Sequence, residues 1–268
     1  VKFIDAHETL SVQVHPDDAA AARLGQRGKT EAWHILHTTA DGILITGFRD
    51  GMTPAQIREA LQHERLDDLL ERLPIHVGDT VIVPAGTVHA IGGGVLLYEI
   101  QQASDLTFRL YDWGRRDQRG HLRQLHVEEA LSVLRPDLHA RRTRPLAFEH
   151  GRVALAACRS FLLQRWVVTD SSAYELAPGK TFHILSCIQG QVKVTAGTGQ
   201  GTLRAGQTAV LPARVGSVML EGTATLLASS VPSLEDDVVA PLLARGYDAE
   251  AIAQLAGDTG DLHQFVGL

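Results

Sequence analysis

The string G-D-T-V-I-V-P-A-G-T-V-H over residues 78–89 constrains this chain more than any other stretch. Gly78, Pro84, Gly86 and His89 recur in it as G-x5-P-x-G-x2-H. Proline fixes its own φ and removes a backbone donor, while glycine admits left-handed backbone. The pair therefore predicts a tight turn that ends one strand and re-aims the next. His89, three residues past the second glycine, is then delivered to the interior face of that next strand.

The surrounding sequence fits the same economy of short strands and Gly/Pro turns. Period-two alternation predicts strands over residues 1–6 and 10–15, and Pro16 holds His15 extended at the end of the second. Strand character returns at 31–37, 43–48, 95–102 and 106–112. Asp17 and Asp18 read as caps of a short helix rather than as ligands. Thr53, Pro54 and Gln56 form a capping box with proline at the first helical position, and a second short helix is expected over 66–73. Together these make a helical insertion at about 50–73 within a first domain, 1–135. Its amphipathic helix falls at 127–134. Residues 136–150, rich in Arg, Pro and His, read as a linker. A second strand-rich domain spans 151–232, with turns at Pro178-Gly179, over 197–201 and at Gly206, and a helical tail follows over 233–268. Many short strands of this kind favour antiparallel barrels.

Gln13 and His15 lie two apart on one strand and share a face, with Ser11 beside them. Glu31 opens a later strand. Two imidazoles and a carboxylate, with a side-chain amide as a fourth candidate, suit a divalent metal: zinc, iron(II), manganese or cobalt. The expected ligands are His15, Glu31 and His89, with Gln13 as a possible addition.

Composition removes several classes of function. The formal charge of −6 offers no global basic field for nucleic acid, and the arginines at 115, 116, 119, 123, 141, 142 and 144 come without a recognition motif. They read as solvated loop and linker. No apolar run approaches the roughly 20 residues needed to span a bilayer. Cys158 and Cys187 are expected as buried free thiols, and with no signal peptide visible the expected location is the cytoplasm.

The turn at 78–89 matches the second cupin motif at every fixed position. Four further stretches in the same order resemble the type I mannose-6-phosphate isomerases, in particular the short bacterial form. These are LSVQVHPDD at 10–18, GKTE at 28–31, EIQQASDLTFR at 99–109 and LHVEEA at 125–130. The resemblance is dense in the first half and holds only in outline in the second. It implies a mainly β fold of two cupin-like barrels (jelly rolls), with a small helical insertion and C-terminal helices. It places His15, Glu31 and His89 on the family's zinc ligands and Gln13 on a fourth ligand of longer members. Arg109 falls on the active-site arginine, Asp105 on the aspartate four residues before it, and Lys29 on the lysine preceding the metal-binding glutamate. Where longer members carry His-Lys-Pro-Glu, this chain has Gly28-Lys29-Thr30-Glu31, so no role of that histidine transfers. Family members also carry N-terminal strands upstream of the point where this sequence begins.

The activity implied is interconversion of mannose 6-phosphate and fructose 6-phosphate through an enediol, with one zinc ion per chain and a sugar phosphate as partner. The chain would be a monomer or a homodimer. Ser11, Lys29 and Arg109 are the candidates for the phosphate. The base that moves the proton is left open among Lys29, Asp105 and hydroxide on the metal. A structural ion pair of Arg109 with Asp105 or Glu99 is the plainer alternative for that arginine. Two other functions compete: a non-catalytic sugar-phosphate-binding or regulatory cupin, and a different metal-dependent cupin such as an iron dioxygenase. In the second half, Gly206 and Pro212 repeat the turn, but Arg214 stands at the second glycine and Ser217 at the histidine. That predicts a second barrel without a metal site, in which His183 is structural.

Overall fold

The computed structural model describes residues 1–176 and 179–268; Pro178 of the expected turn lies outside the described residues. The chain is mainly β and divides into two compact units. The first comprises Val1–Arg142 with Gly257–Thr259, the second Thr143–Ala256 with Gly260–Leu268.

In the first unit, β1 (Lys2–Ala6), β3 (Glu31–Thr38), β6 (Thr80–Val83), β8 (Val95–Gln101) and β10 (Arg141–Arg142) form one sheet in the order β1-β8-β3-β6-β10. A second layer combines the pair β2 (Val12–Val14) and β9 (Phe108–Tyr111) with the sheet of β5 (Leu70–Pro74), β4 (Ile43–Phe48) and β7 (Ala90–Ile91). An isolated bridge between Gln13 and His89 joins the two parts. Trp33, Ile35, Val81 and Leu97 fill one core cluster, and Val12, Val14, Ile45, Phe48, Val88 and Leu110 another.

The short helices start where their caps require. Asp17 Oδ1 accepts from Ala20 N at 2.8 Å ahead of α1 (Asp18–Ala22). Both bonds of the Thr53/Gln56 capping box are present ahead of α2 (Pro54–Gln62), which buries Ile57. The helix expected over 66–73 is not there. A single 3-10 turn, Leu66–Leu69, leads directly into β5, which pairs with β4 through Leu44↔Leu73 and Ile43↔Pro74. The leucines at 66, 69, 70 and 73 repeat at helical spacing. Leu66 and Leu70 nevertheless reach the same core cluster from turn and strand, and β4 supplies the backbone partners. The amphipathic helix is α3 (Val127–Val133).

Within 136–150 the chain is partly in strands. β10 pairs with β6, and its arginines are ion-paired, Arg142 Nε 3.1 Å from Asp79 and Arg141 Nε 3.2 Å from Asp258. Next, β11 (Leu146–Ala147) pairs with β12 (Arg152–Cys158) of the second unit.

That unit continues with β13 (Phe161–Val168), β14 (Ser171–Glu175), β15 (His183–Ala196), β16 (Gly199–Arg204), β17 (Thr208–Leu211) and β18 (Ser217–Ser230). The order is β11-β12-β13-β18-β15-β16, with β14 on β18 and β17 on β15. The long strands β15 and β18 thus serve two sets of partners. The tail holds α4 (Ala240–Ala244), α5 (Ala249–Ala253) and α6 (His263–Val266), and Asp248 caps α5. Val238, Leu242, Ile252 and Leu255 of this tail pack against Leu146, Ala154 and Leu162 of the unit's own sheet. Cys158 and Cys187 are buried and free. No helix among the described residues is long and apolar enough to cross a membrane.

Candidate metal centre and active site

The first unit brings three chain segments to one point. His15 follows β2, held extended by Pro16. Glu31 is the first residue of β3, paired with Val83 and Gln101 on either side. His89 follows the Pro84–Gly86 turn, and its backbone exchanges two hydrogen bonds with Gln13, each of 2.9 Å. Gly86 adopts φ +91, which favours glycine, and its N–H donates to the carbonyl of His15 at 2.7 Å. The approach loop needs glycine at 28, where a Cβ would lie 2.5 Å from the Asp18 nitrogen. Lys29 N donates to the Pro16 carbonyl, which draws Lys29 alongside His15.

All three candidate ligands are buried, and their ligand atoms lie within 4.8 Å of one another. Each imidazole is oriented through Nδ1, which donates to a backbone carbonyl: Leu106 at 3.0 Å for His15 and Thr87 at 2.8 Å for His89. Both Nε2 atoms then face Glu31, at 3.2 Å from Oε1 and 3.9 Å from Oε2. Trp33 packs edge-on against His89, with ring centroids 5.4 Å apart.

One carboxylate and one ammonium group meet in this centre. Lys29 Nζ lies 2.8 Å from Glu31 Oε1 and 3.4 Å from His15 Nε2, yet Glu31 Oε1 receives no hydrogen bond of acceptable angle. Burial alone would raise the Glu31 carboxyl, but His15, His89 and Lys29 outweigh it and hold the group far below the usual range. Burial, with His15 beside it, pulls the His89 imidazole down to about 4, against the opposing charge of Glu31. Two imidazole nitrogens and a carboxylate oxygen converging in a buried site form a donor set able to hold a cation. The two-nitrogen, one-oxygen set is the kind that holds zinc. The residues fit a divalent ion.

A cavity of about 200 Å³ opens beside the centre, lined by Ser11, Gln13, Lys29 and the three candidate ligands, and also by Lys2 and Glu99. Lys2 and Glu99 were not singled out in the sequence as site residues. They face each other across β1 and β8, and Trp33 lies opposite Glu99 on the other side. Lys2 Nζ is 3.0 Å from Glu99 Oε1, and Trp33 Nε1 donates to Oε2 at 3.3 Å. Burial pushes the Glu99 carboxyl up, and the Glu31 carboxylate pushes it further; Lys2 pulls the other way. The available signal was compositional, since Glu99 is the one charged residue of β8.

The remaining sequence candidates divide. Gln13 lines the cavity and its Nε2 donates to Ser11 Oγ at 3.0 Å. Arg109, opposite Gln13 on β9, donates from Nε to the same hydroxyl at 3.3 Å and from Nη1 to the Gln124 carbonyl at 2.9 Å. It makes no ion pair with Asp105 or Glu99; its charged neighbours are Arg123, Asp112 and Arg115. Asp105 is exposed, and it lies outside the lining of this cavity. The loop before β9 turns it away from the centre.

Residues 153–231 match the family described as "Mannose-6-phosphate isomerase, cupin domain". A mannose-6-phosphate isomerase of Streptococcus mutans is 34% identical over 232 residues, 85% of this chain and 72% of that protein. The mannose-6-phosphate isomerase ManA of Bacillus subtilis is 35% identical over 237 residues, 85% and 73% of the two chains. Among solved structures, the Bacillus subtilis mannose 6-phosphate isomerase superposes with a TM-score of 0.77 at 28% identity, covering 85% of this chain and 73% of that one. A phosphomannose isomerase variant from Salmonella typhimurium shares the fold at 16% identity, TM-score 0.62, covering 85% and 77%.

Proposed function

Because the chain belongs to the mannose-6-phosphate isomerase family, we propose that it interconverts mannose 6-phosphate and fructose 6-phosphate at the His15–Glu31–His89 centre. The observation that carries this reading is the convergence of those three buried groups beside a cavity that also holds Lys2, Lys29 and Glu99.

His15, Glu31 and His89 would hold one zinc ion, with Gln13, two residues from His15 on the same strand face, as a further oxygen donor. The ion supplies Lewis acidity toward the sugar oxygens, where charge develops as the enediol forms.

The other side chains divide the work. The isomerisation moves one proton from C2 to C1 and another from O2 to O1, so a group beside the two carbons must take the carbon-bound proton and return it. Glu99 suits that role: its carboxyl is raised by burial and by Glu31, lines the cavity and is held by Lys2 and Trp33. Lys29, which the sequence offers as an alternative base, sits against Glu31 and His15 as a fixed cation and stabilises charge on the sugar oxygens. Arg109 orients the Ser11 hydroxyl and, with Arg115 and Arg123 near it, makes a positive rim for the phosphate dianion. Substrate enters with its phosphate toward that rim and C1–C2 toward Glu99.

The test is a coupled assay for mannose 6-phosphate conversion on metal-depleted protein, with zinc added back, beside His89→Ala. Conversion should be absent without metal, return with zinc and stay absent in the variant. Zinc-loaded protein that converts no mannose 6-phosphate would sink the reading.

A further inference from the structure

The barrel of the second unit is hollow at one end. Side chains ordinarily fill the interior of a small barrel, and inward positions alternate along each strand. On β16 the inward parity is set by Leu203, a core residue, which puts Gly201 and Gly199 on the same face. Gly201 lies opposite Val194, another core residue of β15, and a Cβ built on it would meet nothing within 4 Å. The neighbouring inward residues, Ala196 and Ala209, are also small. The result is a cavity of about 660 Å³, against about 200 Å³ beside the candidate metal centre. It falls within the roughly 300–1,000 Å³ typical of small-molecule sites.

Val194, Leu203, Leu211 and Val215 form the apolar wall, and Val210, 61% exposed, stands at the rim. Among the described residues, Arg214 is the only charged one in the lining. Among the described residues it makes no ion pair and no side-chain hydrogen bond. Arg214 and Ser217 occupy the second-glycine and histidine positions of the turn that in the first unit carries Gly86 and His89. The turn that delivers a cation-binding imidazole in one unit delivers a free cation in the other.

We propose that this cavity binds a small organic anion with an apolar body, a carboxylate, sulfonate or phosphate ester on an aryl or alkyl group. Arg214 pairs with the anionic group at the rim, where its planar donors match two oxygens, and the aliphatic wall covers the rest. The lone positive charge selects anions over neutral or cationic molecules of the same shape.

Two fluorescent probes test this on the zinc-loaded full chain: 8-anilinonaphthalene-1-sulfonate and its uncharged analogue N-phenyl-1-naphthylamine. The wild type should bind the sulfonate saturably. Arg214→Ala should weaken the sulfonate about tenfold, the worth of one hydrogen bond to a charged group, and leave the neutral amine unchanged. Gly201→Phe, which fills the hollow at a position of ordinary φ, should abolish binding of both without changing isomerase turnover. Saturable sulfonate binding that is equal in wild type and Arg214→Ala, or that persists in a folded Gly201→Phe, overturns the proposal; so does the absence of saturable binding by the wild type. Arg214 is exposed, so its variant remains informative if the filled barrel fails to fold.

Discussion

The amide of Gly86 donates to the carbonyl of His15 at 2.7 Å, so the turn that carries one candidate ligand hangs from the strand end that carries another. The bond ties two segments far apart in sequence, and it depends on a backbone conformation, φ +91, that side chains with a Cβ resist. The geometry of the centre is therefore set by backbone as much as by the imidazoles themselves.

Gly86→Ala should consequently damage the site and the fold together. The left-handed conformation is strained for alanine, and the new Cβ would lie 3.3 Å from the Arg135 side chain. A loss of about 1–3 kcal/mol is expected in denaturant unfolding, with weaker zinc binding in a competition titration. Unchanged zinc affinity would detach the turn from the centre.

Replacing Glu31 by Gln keeps the shape but removes the charge that balances the ion. Zinc content, measured by atomic emission after dialysis, should fall from about one per chain to near zero. Turnover should fall with it, by about a hundredfold or more. Full zinc occupancy in Glu31→Gln would move the metal elsewhere.

Lys2→Met tests Glu99 through pH. Lys2 lowers the Glu99 carboxyl, so its removal should raise that group further. If the carboxylate form takes the proton, the acidic limb of kcat must move to higher pH in Lys2→Met and disappear with activity in Glu99→Gln. An acidic limb that stays in place would remove Glu99 from proton transfer.

The metal-free protein should lose stability as pH falls from about 6.5 toward 4. In that window the unfolded chain protonates at His89 while the folded chain, with His89 near 4, does not. The linkage amounts to about 3 kcal/mol at its full extent. Glu31, lowered in the fold, adds a loss in the same direction below its ordinary value of 4.5. Glu99, raised in the fold, works oppositely, its stabilisation being lost as pH rises above 4.5. Urea midpoints at pH 7 and pH 5 read the net slope, and His89→Gln should flatten it between those values.

The strands that build the site were legible because their signals are local. Alternation at 10–15, the Pro16 stop, the capping box at Thr53 and the Gly/Pro turn each act within a few residues. The helix expected over 66–73 fails for the complementary reason. Its leucines satisfy the periodicity of a helix, and the open hydrogen bonds of β4 that draw 70–74 into a sheet are written elsewhere in the chain. Asp105 shows the same limit: its place beside Arg109 in sequence says nothing of the loop that turns it outward.

By itself the sequence determined the donor types and their strand faces: an imidazole two residues from an amide, a carboxylate opening a strand, and a second imidazole aimed by a glycine turn. Those are properties of spacing, and spacing is covalent. Only the tertiary structure decided that Lys2 and Glu99 stand across from each other beside that centre, with Trp33 on Glu99's other flank. Cross-strand register sets such neighbours, and register is chosen by burial of whole faces rather than by any one pair. Burial then did the rest, since it is the loss of water that drives Glu99 up and His89 down at a point where Glu31 faces two imidazoles.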